Sequence, residues 1–592
     1  MYHPFILPFM FGVIALFCIL SIKFGRWLLR FSKRQQKAIA KNILSFKTIK
    51  AIWEAIRECL FHRNIFKTNF LLGYMHFCFA FGWLMLIIMG KVEETFYSGT
   101  IWTNPWGGIF FKYFENTAHS YPFKYTMVFI MDLLLLFVLS GTILAIIKRT
   151  KSIIMGLQKT PSHSWNDRIA LVSLWFIFPL RLFAESVTAG LKQNGGFLTQ
   201  TVGNSLSFLP LEQIEIPLWW TYSISLGIFF TFMCFTRYMH IFTEILLIFF
   251  RKWGVTEEDV RTGYTPIEIN ACSRCGICLD PCQMNSVANI KYKQPLYLIR
   301  DVRNWRLQSF TTDNCLLCNR CEDKCPVGIN SSQIRLIYRR KKGFENRDYY
   351  DFIVKNNNEI ENRNVNVLYF AGCMSHLTPG ITEAMKKIFQ KANENYHFLD
   401  EEASICCGKP LKQQGFLKQA YTLVEKNKDL IRSYNAHILV TSCPICYNSF
   451  MKDYQLDIKV MHHTQYIEML INEGRLKVEK QKFSMIYHDP CEISRGHDIY
   501  DAPRNVLKAV GNLLTSEHEK TNTLCCGGSL GNTRLSVKEL EDIRDDALAK
   551  ITTGNPDLLV TACPLCKKSF LRGKQQNIVV KDIAEVIWEK NN

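Results

Sequence analysis

Three observations on this 592-residue chain predict a multidomain protein, an all-α five-helix transmembrane bundle followed by a helical cysteine-bearing domain and then duplicated α/β domains. Five apolar runs of spanning length lie before residue 250, 18 of the 22 cysteines lie after residue 270, and an internal repeat occupies the C-terminal third. A chain of this length exceeds what one hydrophobic core serves. The changes in pattern place the domains at 1–250, 251–345, 346–480 and 481–592.

The membrane half comes first. Segments 5–22, 70–89, 126–147, 169–187 and 217–235 are apolar for about the 20 residues that cross a hydrocarbon core, and the last continues in apolar character to 250. The formal charge of +19 is not a nucleic-acid signal, because twelve Lys or Arg against two acidic residues fall between Lys23 and Lys67, directly after the first apolar run. No basic stretch carries the interleaved aromatics or fold signature of a nucleic-acid binder, and a basic loop beside a span marks the cytoplasmic side of the bilayer. The loop 148–168 is basic in the same way, with five Lys or Arg against one acidic residue, while 91–125 is balanced and 191–216 slightly acidic. This alternation predicts a multi-pass protein of the cytoplasmic membrane with its N-terminus outside and everything after Arg251 in the cytoplasm.

Histidine within a bilayer calls for a partner or a ligand. His76 lies in the second span (LLGYMHFCFAFGW) and His240 on the expected helical continuation of the fifth (FTRYMHIFTEILLIFF), each flanked by aromatic residues. Two neutral imidazoles on facing helices suit the axial positions of haem b. A hydrogen bond to a neighbouring helix is the plainer role for each. His62 is a further candidate on the basic flank, and His119 and His163 read as loop residues. Asp132, Arg181, Glu185 and Glu244 are costly at membrane depth; they suit structural ion pairs, and a quinone site uses such groups too.

The cysteines after residue 270 have no cleavable signal peptide before them and belong to the reducing side of the membrane, which argues for metal rather than disulfides. Cys272, Cys275, Cys278 and Cys282 follow the spacing C-x2-C-x2-C-x3-C, and Cys315, Cys318, Cys321 and Cys325 repeat it, with Pro326 after the last. In such doubled runs the fourth thiolate reaches the other cluster. The expected ligand sets are therefore Cys272, Cys275, Cys278 and Cys325 for one [4Fe-4S] cubane, and Cys315, Cys318, Cys321 and Cys282 for the other. The first run has Gln283 where the second has Pro326. That difference alters the loop more than the ligand count.

After the polar stretch VKNNNEIENRN, read as a linker, five cysteines recur in order. The first copy has Cys373 after VLYFAG, the CCG pair Cys406 and Cys407, and Cys443 and Cys446 in TSCPIC; the second has Cys491 after IYHDP, Cys525 and Cys526, and Cys563 and Cys566 in TACPLC. Each single cysteine and each CxxC follows an apolar strand-like run, so every copy is expected to be a small α/β unit with its thiols at strand ends. Five thiolates exceed the need of one cubane, and an adjacent pair on a tight turn can bridge irons of an opened cluster. Four of the five could instead hold zinc.

The C, CCG and CPxC modules resemble the cysteine-rich domains of heterodisulfide reductase catalytic subunits, and the order of the chain resembles a fusion of the haem b and catalytic subunits of the membrane-bound enzymes. The first 250 residues resemble the gamma subunit of respiratory nitrate reductase, and the fused order is also similar to electron-transfer flavoprotein:menaquinone oxidoreductases. The resemblance implies one or two noncubane [4Fe-4S] clusters held by the ten repeat cysteines, with Cys406, Cys407, Cys525 and Cys526 at the catalytic centre, and haem b on His76 and His240. It further implies menaquinone as the membrane partner and, on the cytoplasmic side, an electron-transfer flavoprotein or a thiol/disulfide substrate. An electron-wire subunit whose substrate chemistry lies in another protein is the alternative, and a zinc-stabilised membrane scaffold a third.

Overall fold

The computed structural model describes residues 2–116, 119–157, 160, 163–257, 262–304, 309–341, 364–403, 405–530, 534–574 and 578–589. Most of the expected linker 354–364 and the expected boundary at 345 lie outside them. The described chain divides into two compact units, one of Met1–Ile277 with Cys325–Ile329 and one of Cys278–Lys324 with Asn330–Asn592. The cysteine-rich middle segment is thus shared between the two units.

In the first unit five helices are long and apolar enough to cross a membrane: α1 (Pro4–Leu28), α2 (Phe70–Ser98), α3 (Lys124–Thr150), α4 (Trp165–Lys192) and α5 (Leu211–Met233). All five expected runs are present, and most extend beyond the apolar stretch because helical hydrogen bonding continues into the polar flanks, though the fifth stops at Met233, two residues short of the expected end. Small residues let these helices approach closely, as where a Cβ on Gly12 would stand 2.6 Å from the Gly227 carbonyl oxygen. Aromatic side chains fill the space beside that contact, with Phe5, Phe110, Trp219, Tyr222 and Phe229 all buried.

The fifth span does not run on to residue 250. It stops at Met233, the backbone turns, and α6 (His240–Lys252) starts as a separate helix. Two bonds impose the break: the Thr236 side chain accepts the Tyr238 N–H, and the Arg237 N–H donates to Asp167 at 2.9 Å. His240 is therefore the first residue of a new helix.

The second unit contains two four-stranded parallel sheets of one topology. Strands β1 (Val367–Phe370), β2 (Tyr396–Phe398), β3 (Ile438–Thr441) and β4 (Lys459–His462) lie in the order 2-1-3-4; β5 (Ser484–His488), β6 (Asn512–Leu514), β7 (Leu558–Thr561) and β8 (Val579–Asp582) lie in the order 6-5-7-8. Their near-continuous apolar character is that of parallel strands covered on both faces. The sequence repeat is thus a repeat of fold.

Helices α7 (Pro379–Lys391), α8 (Pro444–Ser449) and α9 (His463–Asn472) belong to the first copy; α10 (Cys491–His497), α11 (Asp501–Val510) and α12 (Ile583–Glu589) belong to the second. By position in the repeat, α7 corresponds to α11 and α9 to α12. The contacts made are α7 with α12 and α9 with α11, the exchange that a pseudo-twofold axis produces. One core joins the copies, with Ile388, Leu470, Val506 and Ile587 buried in it, and His463 Nε2 lies 3.1 Å from Asp582 Oδ1 across it.

Asp489, just before Cys491, receives Arg504 Nη1 at 2.9 Å and Nη2 at 2.7 Å, and both side chains are buried. Removing one partner of such a pair leaves a charge uncompensated, at a cost of about 3–5 kcal/mol, whereas removing both is far milder. Asp489→Ala is expected to lower the apparent unfolding temperature of the solubilised protein, and Asp489→Ala/Arg504→Met to restore most of it. Calorimetry checks this; an unchanged transition in the single variant would contradict it.

Candidate iron-sulfur centres

The parallel register fixes where the thiols go. Phe370 pairs with Thr441 and His488 with Thr561, so Cys373 and Cys443 leave the same end of one sheet, and Cys491 and Cys563 the same end of the other. In the first copy Cys407 is within hydrogen-bonding reach of Cys406 and Cys446, Cys446 of Cys443, and Cys373 feels the charges of Cys443 and Cys407. All five expected thiols are brought together. The second copy repeats this, with Cys526 against Cys525 and Cys566, Cys566 against Cys563, and Cys491 beside Cys525.

The electrostatics are also repeated. Hydrogen bonds from its neighbours Cys406 and Cys446 pull the Cys407 thiol well below its ordinary value, and those from Cys525 and Cys566 take Cys526 down to about 5. Partial desolvation among its neighbours, and then the charges of Cys443 and Cys407, push Cys373 up to about 12 although its side chain reaches the surface. Buried thiols crowded in this way need a cationic centre to carry thiolate charge. Among the described residues no three Cys, His, Asp or Glu side chains stand at the spacing of a single bare ion; the thiols are grouped in neighbouring pairs around each sheet end.

Glycine and aspartate shape the first loop. Gly372 has φ +85°, and a Cβ there would stand 2.9 Å from both Cys446 Sγ and Cys443 Cβ, so only glycine lets the backbone lie against these thiols. Asp400 holds the loop by accepting the N–H groups of Ala371 at 2.7 Å and Gly372 at 2.8 Å. The glycines after the cysteine pairs act differently. Gly408 and Gly527 both have positive φ, and a Cβ on Gly527 would meet the Leu540 carbonyl at 2.6 Å, so their freedom serves the turn and a close helix.

The two copies meet at their cysteine ends. Helix α8, which carries Cys446, packs on α10, which begins at Cys491; the Tyr447 and His497 rings lie 5.0 Å apart and Asn448 Nδ2 donates to Glu492. They are not equally open, for Cys373 is exposed and Cys491 half-buried.

Seven of the eight cysteines of the middle segment have neighbours from the expected groups; Cys278 is the exception, falling in the other unit from Cys272, Cys275 and Cys325. In the second unit Cys282 is raised to about 12 by burial and then by the charges of Cys318 and Cys315, and Cys321 faces the same three. In the first unit Cys325 is raised to about 12 by burial and then by Cys275 and Cys272. Cys278 is the first residue of the second unit and packs with Leu279, Leu296 and Tyr297. The crossing of the fourth cysteine of each run is thus visible in these neighbours.

One junction was not legible in the motifs. Cys318, of the middle segment, is within hydrogen-bonding reach of Cys525, of the second repeat, and Cys491 feels both. Gln283, standing where the other run has proline, accepts the Cys525 N–H at 2.6 Å and donates to its carbonyl at 3.3 Å. Arg495 donates to the Cys318 carbonyl at 2.7 Å and to the carbonyls of Thr521 and Thr523 at 2.9 Å. Ser529 adds a bond to the Leu316 carbonyl at 2.9 Å. The glutamine in place of proline was the signal, and its meaning lies in a residue 242 positions away.

In the first unit His76 lies near His62, His240, Lys148 and Arg237. The His62 and His76 rings stack at 5.3 Å and 9°. That is a single stacking distance with no room for a macrocycle between the rings, so these two are not an axial pair in this arrangement. His240 Nδ1 lies 2.7 Å from the Arg237 carbonyl oxygen, the kind of bond that orients an imidazole ligand. His76 and His240 thus fit a b-type haem in chemistry. His119 and His163 lie outside helices, as expected of loop residues. Three of the four costly ionisable groups have structural partners: Asp132 accepts the N–H groups of Leu198 and Thr199 at 2.7 and 3.0 Å, and Arg181 Nε pairs with Glu185 at 2.9 Å.

Comparison with known proteins agrees with these groupings. The family model of the 4Fe-4S dicluster domain matches residues 268–329, and that of the CCG cysteine-rich domain matches 367–451 and 485–570. The EtfAB:quinone oxidoreductase of Syntrophomonas wolfei is 24% identical over 490 residues, spanning 63% of this chain and 67% of that protein. One subunit of the dihydromethanophenazine:CoB–CoM heterodisulfide reductase of Methanosarcina barkeri is 25% identical over 389 residues, 55% of this chain and 94% of that one. A probable membrane-anchored ferredoxin of Chromohalobacter salexigens is 24% identical over 318 residues, 46% of this chain and 47% of that protein. The chain therefore carries one dicluster domain and two CCG domains, and is an iron-sulfur electron-transfer protein related to this heterodisulfide reductase component and to EtfAB:quinone oxidoreductase.

Proposed function

We propose that this protein exchanges electrons between menaquinone in the cytoplasmic membrane and a redox partner in the cytoplasm, either an electron-transfer flavoprotein or a disulfide. The observation that carries the reading is the contact of Cys318 with Cys525, which sets the ligands of a cubane directly against those of a CCG centre. The quinone in the name of one relative and the heterodisulfide in that of another support the two ends of the path. The proposed ligands are Cys272, Cys275, Cys278 and Cys325 for one cubane, Cys282, Cys315, Cys318 and Cys321 for the second, and the five thiols of each repeat for a noncubane cluster, with Cys406, Cys407, Cys525 and Cys526 at the substrate-facing centre. His76 and His240 are the proposed axial ligands of haem b.

Bound there, the clusters and haem supply one-electron chemistry. The chain's own part is to hold these groups in order and to keep them from water. Asp400 and Asp489 fix the backbones leading to Cys373 and Cys491, and Gln283 and Arg495 tie the dicluster segment to the second CCG domain. On this reading the N-terminus lies outside and the CCG domains in the cytoplasm, and the basic flank between Lys23 and Lys67 supports it.

Anaerobically purified protein is expected to contain at least about eight irons for its two cubanes. It should also pass electrons between a menaquinol analogue and either a flavoprotein or a small disulfide. Cys407→Ala or Cys526→Ala should abolish that transfer while haem reduction by the quinol analogue survives. Stoichiometric zinc without iron would end the reading, and transfer that persists in both variants would remove these cysteines from the centre. A signal in paramagnetic resonance that depends on added thiol and is lost in Cys526→Ala selects the disulfide; its absence together with rapid reduction by flavoprotein selects the wire.

The haem assignment predicts a b-type α band in the reduced spectrum, lost in His76→Ala and in His240→Ala with iron-sulfur signals kept. Normal haem content in both variants would contradict it and direct attention to His62.

A further inference from the structure

Beside the candidate haem ligands the first unit gathers more positive charge than it balances. Lys148, near the end of α3, lies close to His76, Arg237 and Cys275. Arg149 lies near Arg237 and Arg168, and His163 near Arg237, Arg149 and Arg274. One carboxylate enters this group, Asp167, and it is already engaged by the Arg274 guanidinium, the Arg237 N–H and the Ser164 hydroxyl.

Among the described residues Lys148, Arg149 and Arg237 form no ion pair. The Arg237 guanidinium lies over the ring of its neighbour Tyr238, 5.5 Å from the centroid, and Arg274, 9% exposed, keeps a buried Nε without a partner. A cation set into protein needs an anion, and three together need more than one. His76 and Lys148 are both partly exposed.

We propose that Lys148, Arg149 and Arg237 form a clamp for the two carboxylates of a haem held by His76 and His240. The inference rests on the haem assignment above and adds an orientation: the carboxylate edge of the macrocycle faces the Cys275 end of the unit, because Lys148 lies within charge range of both His76 and Cys275. Carboxylate and phosphate share the chemistry that such a clamp recognises, and a basic group at a membrane face can also hold the phosphate of an anionic lipid. The absence of an ion pair at a position next to a haem-ligand candidate, rather than on the exposed flank, favours the haem carboxylates.

The test is a potentiometric titration of the haem in the full protein, with lipid phosphorus measured alongside. Removal of a nearby positive charge disfavours the reduced, more negative centre. At the wild-type midpoint, Lys148→Gln and Arg237→Gln are each expected to cut the reduced-to-oxidised ratio of the haem at least threefold. The bis-imidazole spectrum should persist, Arg237→Lys should recover most of the ratio, and Lys50→Gln on the exposed flank should leave it unchanged. If single variants lose haem outright, haem loss with intact iron-sulfur signals supports the clamp, and haem loss with lost signals moves the test to Arg149→Gln. A triple Gln variant with unchanged ratio and haem content overturns the proposal. So does loss of bound lipid phosphorus with the haem ratio unchanged, which assigns the cations to lipid. Wild-type protein without any α band overturns the haem assignment itself, and the clamp with it, and is distinguished from the other outcomes by needing no variant.

Discussion

Parallel pairing of β1 with β3 and of β5 with β7 is the constraint on which the redox half depends. Parallel strands end on the same side of their sheet, so a cysteine two or three residues beyond each strand is delivered to one edge without any further device. Cys373 and Cys443 meet in this way, as do Cys491 and Cys563, and the tight turns carrying Cys406 with Cys407 and Cys525 with Cys526 close over them. An antiparallel arrangement would send alternate thiols to opposite ends. The same constraint sets the contact between copies, since pseudo-twofold packing of α7 on α12 and α9 on α11 leaves the cysteine ends, at α8 and α10, against each other.

Much of this was legible in the sequence because thiol chemistry demands fixed spacings and strands demand apolar runs. The five spans, the two four-cysteine runs with their crossed fourth ligands, and the doubled α/β module all follow from such local rules. What sequence left out depends on partners far along the chain. The end of the fifth span at Met233 is enforced by Asp167 capturing the Arg237 N–H, a bond across 70 residues that no hydropathy pattern encodes. The role of Gln283 needed the position of Cys525, and the stacking of His62 on His76 needed the fold between them. That Gly527 answers to the Leu540 carbonyl likewise needed the fold, because a positive φ and a crowded backbone have the same sequence signature.

The division of the chain into two units gives the middle segment its significance. Cys272, Cys275 and Cys325 belong with the membrane helices, where Cys275 and Ile277 pack with Leu72, Met75, Met155 and Leu157. Cys282, Cys315, Cys318 and Cys321 belong with the CCG domains, where Gln283, Arg320, Arg495 and Ser529 join the two. The chain thus changes unit within the dicluster segment, with Cys325–Ile329 returning to the first unit. Cys491 is half-buried near Cys525 and Cys318, whereas Cys373 is exposed.

The magnetic interaction between the proposed cubane of Cys282, Cys315, Cys318 and Cys321 and the proposed centre of the second CCG domain tests this account most directly. If Cys318 and Cys525 join the two centres, low-temperature paramagnetic resonance of partly reduced protein will show them spin-coupled, with the coupling lost in Cys491→Ser and kept in Cys373→Ser. Two independent, uncoupled signals in the wild-type protein would contradict the account.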